Sequence, residues 1–377
     1  IYGTLESNGQ VYLINENGIL IGESGLVDTG GFVASTLDVS NADFLGAGDM
    51  LFTQGIETGG GITVHGTIRS VTGGDIFLLS REIEVGETGK IESNGGYVGL
   101  GAGEEILLRP VDSGDGRISI RAGKGKIVNR GHIEGAAAEL RAAGGNEYAL
   151  AINNSGVVRA NGVSKKGGRI LLTGGGKVRN SGQMVARKKV VVRSTKQIVN
   201  SGSVKAGAET GGEIIFEAPE ITVEAGSLLD VSGALGGGRM FVGGGFQGSG
   251  TDHEGNAVDI AENARIVTVE TGAVLNASAT QSGDAGEIIV WSDNSTTFSG
   301  DIVAEAVNGA GGFAEVSGKK TLAFRTSNVD LSGTTAAGEL WLDPEDLNVV
   351  AGATTGVLPN EISDADIQTI LEGGTSV

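Results

Sequence analysis

The sequence predicts an all-β fold, a right-handed parallel β-helix (solenoid), on three observations. Asn-Ser-Gly returns at 154–156, 180–182 and 200–202, at offsets of 26 and 20 residues, which is the length of one solenoid coil and too short for a domain. Short alternating apolar runs follow or separate those phrases: Val157-Val158, Ile170–Leu172, Met184-Val185, Val190–Val192 and Val204. Alternation means strands with one buried face. The same beat of turn, strand, paired glycine and strand recurs at Gly66-Thr67-Ile68 with Gly73-Gly74, at Gly89-Lys90-Ile91 with Gly95-Gly96, and at Gly311-Gly312 before Phe313–Val316. Stacked at strand spacing, about 16 to 18 coils would make a rod roughly 75–85 Å long. Its interior would hold Val, Ile, Leu and Ala, and its Gly and Asn corners are expected to need φ > 0.

Composition agrees. The chain has 68 glycines in 377 residues, about 18 % against a usual ~7 %. With 39 % apolar residues in a pattern and only four prolines, disorder does not follow. Aromatics at 4 % suit a narrow aliphatic core. Cysteine is absent, which removes disulfides and thiolate metal sites and suits a chain that crosses a membrane unfolded. No 18-residue apolar segment is present, so no helical membrane span is expected. Ile1–Leu5 already reads as a strand, so further chain upstream is expected.

Residues 1–60 open with Gly9–Ile14, a turn with Asn17-Gly18 at its apex, Ile19, and then Gly30–Thr36. This phrase closely resembles the secretion domain of two-partner secretion exoproteins, the filamentous-haemagglutinin and high-molecular-weight adhesin group of Gram-negative bacteria. Their Asn-Pro-Asn-Gly-Ile stands here as Asn15-Glu16-Asn17-Gly18-Ile19, with Glu16 losing the proline's fixed φ. The resemblance implies that residues 1–60 are the C-terminal part of that domain. It also implies that Asn15, Asn17, Gly18 and Ile19 form a turn read by the periplasmic domains of an outer-membrane transporter. Each asparagine amide is expected to bond locally and hold the turn. A second resemblance, to the coils that come after such domains in large exoproteins, covers 236–346 through Val290–Asp293, Gly311–Lys319 and Leu340–Pro344.

Residues 61–233 are expected to be coils carrying a basic band. The net charge is −19, yet no Asp or Glu lies between Tyr148 and Ala208, where Arg159, Lys165, Lys166, Arg169, Lys177, Arg179, Arg187, Lys188, Lys189, Arg193, Lys196 and Lys205 stand. Of these, Lys177, Arg179, Arg187, Lys188, Lys189 and Arg193 are the candidate site for an anionic glycan, since bases on neighbouring coils would lie ~5 Å apart along the rod. The bland alternative is a solvated face. Few aromatics and an acidic chain disfavour nucleic acid. Residues 234–265, glycine-rich and then polar, are expected to protrude as an extra-helical loop, where solenoids often carry function. Coils resume over 266–358. Over 359–377 the period changes to 3.6: Ser363 caps a short helix, Ile362 can staple onto Ile367, and Gly373-Gly374 ends it. That helix either shields the end of the stack or separates this rod from another beyond Val377.

Catalysis would need carboxylates converging on one face. Glu82, Glu84 and Glu92 could do so on adjacent coils, and Asp343, Glu345 and Asp346 cluster near Trp341, but outward charges are what solvation requires. His65, His132 and His253 have no metal or triad spacing, so neither metal nor cofactor is expected. Asn153, Asn276 and Asn294 are glycosylation acceptors at about chance frequency. The reading is therefore a secreted or cell-surface, non-enzymatic, monomeric adhesin rod. It would leave a Gram-negative cell through a two-partner transporter and bind a host or bacterial surface glycan or receptor. The alternatives are the stalk of a contact-dependent toxin or haemolysin exoprotein, and a β-helix polysaccharide lyase or hydrolase.

Overall fold

β-Branched and leucine side chains at one inward position per strand stack into columns, and those columns are the core. The computed structural model describes residues 1–55, 59–112, 116–145, 150–163, 167–326, 328–352 and 358–377. It divides into two units, Ile1–Arg187 and Lys188–Val377. Each is a parallel β-helix whose coils contribute three strands.

In the first unit one column runs Ile19, Ile62, Ile83, Ile127, Ile152, Val178, each in register with the next. A second runs Val27, Ile68, Ile91, Ile133, Val158, Met184, and a third Ala34, Leu78, Leu100, Leu140, Leu172. Nearly all are fully buried. The second unit repeats the plan, for example Val190, Ile214, Met240, Ile288, Ala314, Leu340. Parallel pairing with both faces covered accounts for runs of unbroken burial such as Ile76–Ser80.

The Asn-Ser-Gly phrases do more than turn the chain. Asn154 and Asn180 are the last residues of the strands Leu150–Asn154 and Lys177–Asn180, and their side chains lie inside. Asn129 Nδ2 donates to Asn154 Oδ1 at 2.7 Å, and Asn154 Nδ2 donates to Asn180 Oδ1 at 2.7 Å. In the second unit Asn200 Nδ2 donates to the Gly202 carbonyl at 3.0 Å. These buried amides satisfy one another and the corner backbone. The expectation of φ > 0 at these corners is corrected: neither Gly156 nor Gly182 adopts it, whereas Gly73 and Gly95 do. Glycine is required at 156 and 182 because corners stack closely. A Cβ on Gly156 would lie 2.2 Å from the Gly131 carbonyl oxygen, and one on Gly182 would lie 2.0 Å from that of Gly156.

Two features lie outside the coil plan. Asp38–Val39, Met50–Thr53, Glu105–Leu108 and Ile118–Ala122 form an antiparallel sheet over the first unit's third column, sealing Phe52, Phe77, Ile106 and Ile118 between them. A one-turn helix, Asn41–Leu45, capped by Ser40, lies between its first two strands. The loop expected over 234–265 begins later than its glycines suggest. Arg239–Val242 is a strand in register with Glu213–Phe216 and Glu287–Val290, and the chain leaves the stack only from Gly243. Gly237 and Gly238 belong to a coil corner, where a Cβ would meet neighbouring backbone at 2.0 and 2.2 Å. The C-terminal helix forms over Asp364–Glu372 with Ser363 accepting from Asp366 N. The strand after it, Thr375–Ser376, adds a rung to Gly338–Trp341.

Candidate functional site

The turn at Asn15–Gly18 joins the strand Thr4–Ile14 to the strand Ile19–Ile21. The Asn15 backbone N–H donates to the Ser35 carbonyl at 2.9 Å. Its side chain closes the turn twice, accepting from Asn17 N at 3.2 Å and donating to the Gly18 carbonyl at 3.0 Å. Gly18 has φ +113°, a left-handed conformation that glycine adopts without steric cost. Asn15 thus supplies the stiffness that Glu16, standing in for proline, does not. Ile19 is buried and in register with Ile62. Only one of the two amides holds the turn, contrary to expectation: among the described residues the exposed Asn17 side chain has no hydrogen-bond partner. It is presented to solvent at the apex.

The six bases of the expected glycan site do not act alike. Lys177 and Arg179 lie half-buried on the strand Lys177–Asn180, and Arg187 is exposed at the end of the first unit. Lys188, Lys189 and Arg193 belong to the second unit. There the next coil supplies carboxylates that no reading of the acid-free run could show: Lys189 faces Glu213 and Arg193 faces Glu217. Lys189 Nζ lies 2.6 Å from Glu213, Arg193 Nε lies 2.8 Å from Glu217, and Asp259 reaches Arg193 at 3.0 Å. Burial disfavours the Arg193 charge, but hydrogen bonds to Glu217 and Asp259 outweigh it and raise the pKa. Lys165 and Lys166 lie outside the described residues.

The carboxylates considered for catalysis do not converge. Glu82 and Glu84 lie on one strand stack and Glu92 on another, and Glu84 is paired with Arg130. Asp343, Glu345 and Asp346 are exposed on the segment after Gly338–Trp341.

The buried carboxylates are others, and sequence reasoning missed them because an acid in an alternating strand looks solvated. In the first unit Glu139, fully buried, accepts from Arg117 N at 2.8 Å, Tyr97 Oη at 2.6 Å and Arg141 Nε at 2.7 Å. It ties the antiparallel sheet to the coils, and burial pushes its pKa up despite Arg141. In the second unit the outward column reads Lys189, Glu213, Arg239, Glu287, Phe313, Glu339. The segment 243–263 packs over it. Arg239 Nη2 reaches Glu213 at 2.6 Å and its Nη1 reaches Asp252 at 2.7 Å. His253 N and Nδ1 meet Glu287 Oε1 at 2.8 and 3.0 Å, and Gln247 N donates to buried Glu315 at 2.9 Å. Burial pushes the Glu315 carboxyl up to about 7.

Comparison with known proteins bears on both units. The model of the TPS secretion domain family matches residues 1–186, across the boundary at residue 60 read from the sequence. The heme/hemopexin-binding protein of Haemophilus influenzae is 31 % identical over 107 residues, which is 26 % of this chain and 12 % of that protein. The crystal structure of the HMW1 secretion domain from Haemophilus influenzae matches with a TM-score of 0.61 at 29 % identity, over 90 % of this chain and 82 % of that one.

Proposed function

Residues 1–186 belong to the TPS secretion domain family, and on that footing we propose that the Asn15–Ile19 turn is the feature an outer-membrane transporter reads when it exports this exoprotein. The family implies a two-partner transporter and export from a Gram-negative cell. What supports the turn as the contact is Asn17. Its amide is exposed and unpartnered among the described residues, while Asn15 and Gly18 hold it in place. An exposed side chain with no hydrogen-bond partner among the described residues, set on a stiffened apex, has the form of a recognition group.

Once outside, the chain serves as a cell-surface or released adhesin, its coils displaying binding surfaces along their outward faces. Nearest-neighbour stacking lets each emerging coil fold on those already formed, which opposes backsliding without an energy source in the outer membrane.

The test separates recognition from folding. Asn17→Ala in the full-length exoprotein should leave synthesis intact and the purified fold unchanged, within about 0.5 kcal/mol, while cutting secretion strongly. Secretion of Asn17→Ala at the parental level would overturn the reading.

A further inference from the structure

We propose that the second unit carries a binding cleft for a neutral oligosaccharide, between the outward column of its coils and the segment 243–263. The proposal does not depend on the route of export.

The cleft has a volume of about 660 Å³, within the range of small-molecule sites. Its floor is built from the glycines at the start of successive strands, Gly238, Gly286 and Gly312 just before theirs and Gly338 as the first residue of its own. Tight stacking keeps these positions free of side chains, since a Cβ on Gly286 would lie 1.9 Å from the Gly238 carbonyl oxygen. Three steps of strand spacing make the floor ~14 Å long, an extended trough suited to a short chain of rings.

One end is aromatic. Trp341 is 41 % exposed, and Phe313 and Phe246 fix its indole, with ring centroids 5.7 and 5.4 Å away. His253 stacks on Phe313 at 4.4 Å. An exposed indole held by packing offers a flat apolar surface at low entropic cost, with its N–H donating to Glu339 at 3.3 Å.

The walls carry acceptors. Glu287 is only 3 % exposed. Its Oε1 takes both His253 donors, whereas no donor among the described residues meets its Oε2. Among the described residues the buried side-chain atom without a partner is Thr29 Oγ1, so Glu287 Oε2 keeps access to solvent, and as part of a residue lining the cleft it is an acceptor open to a ligand hydroxyl. Glu254, Asp284 and Glu339 line it too, while Arg239, the cleft's arginine, is engaged by Glu213 and Asp252. Excess carboxylate repels sulfated, sialylated or uronic glycans and suits hydroxyl donors, whose bonds to charged acceptors are the strong ones. A Lys- or Arg-rich peptide would also suit the charge. The trough of side-chain-free corners and the single flat indole favour stacked rings over flexible cationic stems.

The test is titration of the purified chain with neutral trisaccharides (chitotriose, cellotriose, maltotriose, mannotriose), with 3′-sialyllactose and a heparin hexasaccharide, and with an oligolysine peptide. Binding is read by calorimetry and by the fluorescence of Trp341. A Trp341→Phe background isolates that signal, because the second tryptophan, Trp291, is 5 % exposed. The expected result is saturable binding of at least one neutral trisaccharide, weakened about tenfold or more by Trp341→Ala and by Glu287→Gln. Circular dichroism of both variants should match the parent, and if Trp341→Ala unfolds, Trp341→Phe and Glu287→Gln carry the test. Absence of binding by all four neutral probes at ~5 mM would overturn the proposal. So would binding indifferent to Glu287→Gln, or binding confined to oligolysine or to the anionic glycans.

Discussion

Asn154→Ala should destabilise the coils around it far more than a corner substitution ordinarily does. The side chain is fully buried and makes two bonds of 2.7 Å, accepting from Asn129 and donating to Asn180. Truncation deprives a buried donor and a buried acceptor at once. Asn129 Nδ2 keeps only a 3.4 Å contact with the Val157 carbonyl. Each deprived group costs ~1–3 kcal/mol, so the loss should be about 2–6 kcal/mol, little of it recoverable while the coils hold their spacing. Ser155→Ala provides the control. That hydroxyl is exposed and its one bond, to the Asn129 carbonyl, is 3.4 Å long, so its removal should cost under ~0.5 kcal/mol. Repeat arrays do not guarantee two-state unfolding, so native-state hydrogen exchange of Lys126–Asn129, Leu150–Asn154 and Lys177–Asn180 is the suitable assay. A fall in protection no larger for Asn154→Ala than for Ser155→Ala would refute the ladder as a source of stability.

Gly182→Ala should cost ~1–3 kcal/mol, because its Cβ would lie 2.0 Å from the Gly156 carbonyl oxygen; tolerance of alanine in a urea melt would mean the corners are looser than described. Glu139→Ala should cost ~3–5 kcal/mol by removing the acceptor of the Tyr97 hydroxyl and of the Arg117 and Ile118 N–H groups, with exchange rising first in Ile118–Ala122; uniform loss across the first unit would contradict its role as the sheet's anchor. Between pH 5 and 8 the segment 243–263 should be held best at the acid end. Burial raises the Glu315 carboxyl from 4.5 to about 7, so the folded state binds the extra proton between those values and stability falls as pH rises through that window, levelling above it. His253 acts in the same direction. Its bond to Glu287 raises its pKa above 6.5, so its contribution is complete below 6.5 and is lost as pH rises through the raised value. Exchange at Phe246–Gly248 measured from pH 5 to 8 checks this, and Glu315→Gln should flatten the profile; an unchanged slope would assign it elsewhere.

The parallel coils, their inward columns and the helix at Asp364–Glu372 were legible because each rests on local periodicity or capping chemistry that one strand or turn displays alone. The role of Asn154 was not. Asparagine before Ser-Gly satisfies the rules for a turn, and whether its amide faces solvent or the amide of the next coil depends on stacking. The antiparallel sheet was hidden for a related reason: Met50–Thr53 and Glu105–Leu108 have the length and composition of coil strands, and only the partner differs. At the basic band the missing knowledge was register. A run without acids becomes a paired surface when the next coil sets Glu213 and Glu217 opposite Lys189 and Arg193. Arg239 stands in register with Glu287 on the next strand, but the segment 243–263 separates the two in sequence and no regular beat bridges it. At the turn, residue identity showed a constrained apex, while the division of labour between Asn15 and Asn17 needed coordinates.

The central claim is that the turn's exposed amide, and not the coil beneath it, is what the transporter recognises. Binding of the purified chain to the isolated periplasmic domains of its cognate transporter, measured by surface plasmon resonance for the parent, Asn17→Ala and Ser155→Ala, tests it directly. The account predicts that Asn17→Ala weakens binding about tenfold or more with no change in the chain's stability, while Ser155→Ala binds as the parent does. Equal binding by all three would contradict it.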